Sequence, residues 1–138
     1  MAKKIFINLP VADLQKAKTF YTAIGFTNNP MFSDETASCM TLTEEIYVML
    51  LTHTKFGEFT KKEIGNTTKT ASVINCLSVD NNDEVNTMLE KAINAGGIES
   101  NEAKDYGFMQ QRSFEDLDGH LWEVLYMDIS KFPQQQQL

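Results

Sequence analysis

The feature that most constrains this chain is an internal repeat. From Ile5 to Thr52 the pattern reads strand, helix, three strands, and from Ser72 to Met127 it reads the same again. Self-similarity over about 60–70 residues marks one structural unit used twice. Half of a 138-residue chain, with one helix and four strands, buries too little surface to be stable alone. The halves must pack on each other, on a second chain, or on both. The predicted units are residues 1–59 and 70–127, joined by a linker at 60–69 and followed by a tail at 128–138.

Local signals support this division. Ile5–Leu9 alternates as a strand, and Pro10 ends it. Asp13 stands where an N-cap belongs, and Leu14, Ala17, Tyr21 and Ile24 follow at helical spacing. Gly25 closes the helix. Phe26–Phe32 reads as a short extended piece broken by Pro30, and Ala37–Leu42 with Ile46–Thr52 as a hairpin around Thr43-Glu44. His53–Thr70 is polar and irregular, with Phe56 and Phe59 placed to anchor a short helix. In the second unit Ser72–Val79 is a strand and Asn82 caps a helix whose apolar face is Val85, Met88, Leu89, Ala92 and Ile93. Gly96-Gly97 ends it, Ile98–Ala103 is weakly strand-like, and Tyr106–Phe114 and His120–Met127 are the last strands. The Gln tract within Lys131–Leu138 is expected to fray.

The segment Phe114–Met127 carries the chemistry. Asp116-Leu117-Asp118-Gly119 has turn residues: Asp caps its own backbone and Gly takes φ > 0. On the second arm Leu121, Glu123 and Leu125 point one way, Trp122, Val124 and Tyr126 the other. Glu123 is thus a carboxylate in an apolar strand, a costly position without a partner.

Composition narrows the classes. With 12 Lys+Arg against 19 Asp+Glu the net charge is −7, so the basic footprint of a nucleic-acid binder is missing. No apolar run is long enough to span a membrane. The segment MAKKIFINL has no apolar region followed by a cleavage site, and a cytoplasmic location is expected. Cys39 and Cys76 sit far apart in apolar runs, and both are expected to be free, buried thiols.

Two segments resemble the glyoxalase / bleomycin-resistance / extradiol-dioxygenase superfamily, also called vicinal oxygen chelate proteins. One is Ile7-Asn8-Leu9-Pro10-Val11-Ala12-Asp13-Leu14, running on to Phe20-Tyr21 and Gly25-Phe26. The other is Asp116-Leu117-Asp118-Gly119-His120-Leu121-Trp122-Glu123. Ala95-Gly96-Gly97 supports both, and the predicted lactoylglutathione lyases are the subgroup most alike. The resemblance implies an α+β fold of two βαβββ modules, forming cup-shaped mixed sheets with helices on the convex face. It also implies a divalent metal in the cup, held in the glyoxalase pattern by His, Glu, His and Glu from the first, fourth, fifth and eighth strands. Matched strand by strand, those positions fall on Phe6, Leu50, Ile74 and Glu123. Slipping the strands offers Asn8, Thr52 and Cys76. One carboxylate with an amide, a hydroxyl and a thiol matches no common metal site, so neither a metal nor another cofactor is expected.

The candidate ligand-binding set is therefore Phe6, Asn8, Leu50, Ile74, Cys76, Met109, Gln111, Ser113 and Glu123, with Glu123 the candidate catalytic base. Ser113 is expected opposite Glu123, and Ser113, Gln111 or Asn8 to satisfy that carboxylate. Arg112 points away, toward an ion pair. Asn75 falls on a face where core is expected. Cys76 has no His placed to activate it. Three functions fit: a small-molecule binder, or an enzyme without a protein-held metal; a metal-dependent lyase, isomerase or dioxygenase with a non-standard site; and a housekeeping protein with a degenerate pocket. The expected partners are a small organic ligand and a second copy of the chain in a homodimer.

Overall fold

The computed structural model describes residues 2–132. The tail expected to fray lies, from residue 133 on, outside them. The first half runs β1 (Ile5–Val11), α1 (Leu14–Ala23), β2 (Thr27–Asn29), β3 (Ala37–Thr41), β4 (Ile46–Thr52) and a short α2 (His53–Gly57). The second runs β5 (Ile74–Ser78), α3 (Asn82–Asn94), β6 (Ile98–Glu99), β7 (Lys104–Asp105), β8 (Met109–Glu115) and β9 (Leu121–Met127). One sheet has the order β1-β4-β3-β2 and the other β5-β9-β8-β6, with β7 also on β8. Each is mixed: β1 pairs parallel with β4 and β5 with β9, while the other pairs are antiparallel. This is the expected α+β architecture.

The helices start and stop where side chains meet the exposed ends of the backbone. Asp13 Oδ1 accepts from Lys16 N at 3.0 Å and opens α1. Asn81, rather than Asn82, caps α3 by accepting from Glu84 N at 2.9 Å. Glu84 reaches back to Asp80 N at 2.7 Å, so donors on both sides of the cap are satisfied.

One core serves both halves. Leu9, Val11, Met40, Val48 and Leu50 from the first sheet join Ala17, Phe20 and Tyr21 of α1. Leu77, Phe114, Trp122 and Val124 from the second join Val85, Leu89 and Ala92 of α3 in the same cluster. Phe20 lies over Phe114 and Tyr21 against Trp122, with ring centroids 6.1 Å apart in each pair. The first helix thus covers its own sheet and reaches the second hairpin. Gly97 allows this approach, because a Cβ there would meet Ala92 O, Glu115 O and the Phe20 ring. Truncating Trp122, which is fully buried, would remove about 3–5 kcal/mol.

Two expectations about anchoring change. Phe59 is exposed rather than packed on the body, and Ile93 is exposed despite its helical spacing. Phe59 lies beyond the end of α2 with the Lys55 ammonium over its ring, 5.6 Å from the centroid, and Ile93 sits at the margin of the apolar face of α3.

Candidate functional site

Strand alternation gives each sheet a face covered by helices and an open face. On β1, Leu9 and Val11 are buried while Phe6 and Asn8 are exposed on the opposite side. Register carries this across: Phe6 lies beside Tyr47 and Asn8 beside Met49. The Phe6 and Tyr47 rings stack at 4.5 Å with planes 9° apart. On the second sheet Cys76 lies beside Glu123, and Glu123 lies opposite Ser113. Gln111 faces Leu125, Met109 faces Met127, and Ile74 faces Leu121. Eight of the nine predicted residues therefore have the parity of the open faces, two on the first sheet and six on the second.

Leu50 does not. It pairs with Leu9, is 0% exposed and packs in the helix-covered core. The expectation failed by one residue of register, which moves a side chain to the opposite face. Thr52 pairs with Val11 and shares Leu50's parity. The positions of β4 that face the cup are Tyr47 and Met49.

Glu123 departs from expectation in its partners. Ser113 stands directly across the ladder, yet among the described residues no hydrogen bond reaches the Glu123 carboxylate. The residue is half-buried rather than sealed, so water solvates it without help from the protein. Cys76 is exposed, not buried as expected, while Cys39 is a buried free thiol. Partial desolvation, then the Glu123 charge, push the Cys76 thiol up, which lowers its thiolate fraction and its nucleophilicity. Arg112 turns to the helix side as expected. Its guanidinium donates to both Glu99 oxygens at 2.9 Å and to Asn86 Oδ1 at 3.0 Å, and this holds Glu99 below the usual carboxylate range.

The donor set does not fit the metal that the fold implies. Beside Glu123 the ladder offers Cys76 and Ser113, and the open face of the first sheet presents Phe6, Asn8, Tyr47 and Met49. Among the described residues no three His, Cys, Asp or Glu side chains gather closely enough to hold an ion. His53 opens α2, and His120 is buried with Nε2 2.8 Å from Pro10 O.

The turn between β8 and β9 does more than reverse the chain. Asp116 Oδ1 accepts from Asp118 N and His120 N, both at 2.9 Å, and Gly119 has φ +85°. Asp116 Oδ2 accepts from Tyr21 Oη at 2.6 Å, and Trp122 Nε1 donates to that same phenol at 3.0 Å. Burial pushes Asp116 upward, opposed first by the neighbouring His120 and then by the Tyr21 hydrogen bond. Asp118 Oδ1 accepts from Ala12 N at 2.9 Å. The turn thus clasps the β1–α1 elbow of the first half.

Between the free edges of β1 and β5 lies a cavity of about 430 Å³, bordered by β1, the segment from Phe56 to Val73 and the start of β9. Of the predicted residues only Asn8 lines it. Asn75 opens onto it, which explains a polar residue at a core parity. Sequence reasoning missed this space because an irregular segment forms its outer wall. The pairing of unexplained Asn75 with a nearby linker was the available signal.

The first 40 residues or so carry a recognisable family pattern: residues 3–42 match the model described as bleomycin resistance protein-like N-terminal. No curated protein is significantly similar to the chain. Among solved structures, a hypothetical protein from S. aureus is 28% identical over 91% of this chain and 94% of its own, with a TM-score of 0.76. A glyoxalase-related enzyme from Fulvimarina pelagi is 19% identical, with coverages of 91% and 88% and a TM-score of 0.76. A glyoxalase/bleomycin resistance protein/dioxygenase family enzyme from Burkholderia phytofirmans PsJN is 14% identical, with coverages of 91% and 99% and a TM-score of 0.73. The chain thus has the fold of the glyoxalase / bleomycin-resistance / dioxygenase proteins, and over residues 3–42 its sequence is similar to the bleomycin resistance protein-like N-terminal family.

Proposed function

We propose that this protein binds a small organic molecule in its cup without a protein-held metal. The observation that carries this reading is the exposure of large apolar side chains on a face that also presents a solvated carboxylate. Phe6 is 51% and Ile74 56% exposed, and Glu123 has the same parity as Ile74 on the second sheet. A pocket of mainly apolar wall with few polar handles suits a small, mostly apolar ligand carrying a donor for Glu123. Members of the superfamily named for bleomycin resistance give the precedent of binding without chemistry. The same exposed face supports a homodimer, since a second copy would cover Phe6 and Ile74.

The test is a thermal-shift screen with aromatic, thiol-conjugate and antibiotic ligands, because a ligand of the native state alone raises the melting point. Glu123→Gln is expected to leave the fold's stability within about 0.5 kcal/mol and to weaken whatever binds. Chelation is expected to change neither. The alternative is a metal-dependent lyase of lactoylglutathione type or a dioxygenase. Glu123, at the last position of the usual ligand set, favours it. Stoichiometric metal in untagged protein, removed by EDTA with loss of activity, would establish that alternative. Light scattering at micromolar concentration checks the dimer, and a monomer there refutes it.

A further inference from the structure

We infer that the cavity at the seam of the two modules, which adjoins the cup at Asn8, is a second small-molecule site for a neutral ligand bearing a carboxamide or lactam group. Much of its wall is apolar: Ile7 and Leu9 from β1, Phe56 from α2, Ile64 from the linker, Val73 just before β5, and Leu121 at the start of β9. At about 430 Å³ it falls within the range of sites that enclose small ligands.

The polar groups select the chemistry. Asn8 from one module and Asn75 from the other both line the space. Among the described residues neither side-chain amide has a hydrogen-bond partner in the protein. Each amide offers a donor and an acceptor. The complement of two such groups is a ligand that itself carries one donor and one acceptor side by side, as a carboxamide or ring lactam does. Lys62 and Glu63 both border the cavity, so a charged ligand meets one attraction and one repulsion. A neutral head avoids both.

The outer wall is fixed. Thr67 Oγ1 donates to Asp118 O at 2.5 Å, and the Thr67 carbonyl sits so close to Gly119 that a Cβ there would overlap it. The linker is thereby tied to the β8–β9 turn, and the cavity keeps its shape before a ligand arrives. Preorganisation of this kind lowers the cost of binding.

The experiment is a titration of ¹⁵N-labelled full-length protein with 2-quinolone, a neutral bicyclic lactam, against 2-naphthoate, an anion of similar size. Saturable shifts of the Asn8 and Asn75 side-chain amide resonances are expected with 2-quinolone, and weaker binding with 2-naphthoate. Asn75→Leu should weaken 2-quinolone about tenfold, the loss of one buried hydrogen bond. Asn8→Leu, at an exposed position that the fold does not depend on, should act in the same direction if Asn75→Leu does not fold. Glu123→Gln, which tests the cup, should change this affinity by less than about twofold, since lost contacts act locally. The absence of saturable shifts at both asparagines, equal or tighter binding of 2-naphthoate, or loss of binding in Glu123→Gln would each overturn the proposal. A cup that binds nothing would leave it standing.

Discussion

The β3–β4 hairpin and the β8–β9 hairpin occupy equivalent places in the two modules, yet their turns are held in opposite ways. The first turn is held mostly by its own residues, with one backbone bond from Ile5 N to Glu45 O at 2.8 Å. Thr43 Oγ1 accepts from Glu45 N and Ile46 N, both at 3.1 Å, and the turn sits in solvent. The second turn is held from outside by Tyr21, Ala12, Pro10 and Thr67. A repeat can thus conserve its topology while concentrating its polar anchors in one copy. The apolar core joins the modules without direction; the clasp fixes their register, because hydrogen bonds demand particular partners.

The sharpest way to break this contrast is Asp116→Ala. It leaves Tyr21 Oη, Asp118 N and His120 N without their acceptor, and a loss of about 3 kcal/mol or more in urea unfolding is expected. Thr43→Ala in the first hairpin should cost no more than about 0.5 kcal/mol. Gly119→Ala comes next. The position has φ +85° and no room beside Thr67, so about 2–3 kcal/mol is expected, against about 1 kcal/mol for Gly25→Ala, where φ is +116° but nothing lies within reach. Equal costs at the two glycines would show that the linker yields and that the clasp is loose.

Among the changes to the clasp, Tyr21→Phe should have the smallest effect at neutral pH, about 1 kcal/mol, but it sharpens the comparison through pH. Burial, and then the Asp116 charge, push the Tyr21 phenol well above its ordinary value of 10. In the unfolded chain that proton leaves near 10, while in the fold it stays. The stabilisation is therefore complete below pH 10 and declines as pH rises beyond it. Melting temperatures measured across this alkaline range should fall more steeply in the parent protein than in Tyr21→Phe.

The fold was legible because alternation, caps and glycines all pointed to the same elements. Asp13, Gly25 and the strand Ile46–Thr52 needed no tertiary information. Leu50 was misplaced because both faces of β4 are apolar, so parity could not be read from residue type, and only the pairing of Phe6 with Tyr47 fixes it. Glu123 and its face followed from the polar residues around it, but its solvation did not, since openness of the cup is a property of the assembled sheets. The Asp116 turn was recognised as local chemistry. Its partners lie 95 to 106 positions away in the chain for Tyr21 and Ala12, and no local pattern encodes such a distance. The seam cavity was invisible for the same reason.

The parallel pairing of β1 with β4 has a consequence for the order in which the molecule is made. Strand β1 cannot find its ladder partner until roughly forty further residues have emerged, a loop whose closure entropy must be met first. Even then the leading module has only half of the shared core, and it stays unfinished until its companion emerges. The backbone amide of Ala12 then waits for Asp118, almost the last part of the sheet to leave the tunnel. Until that moment the nascent protein carries an open aromatic seam at Phe20 and Tyr21, and this interval is when a chaperone has most to hold.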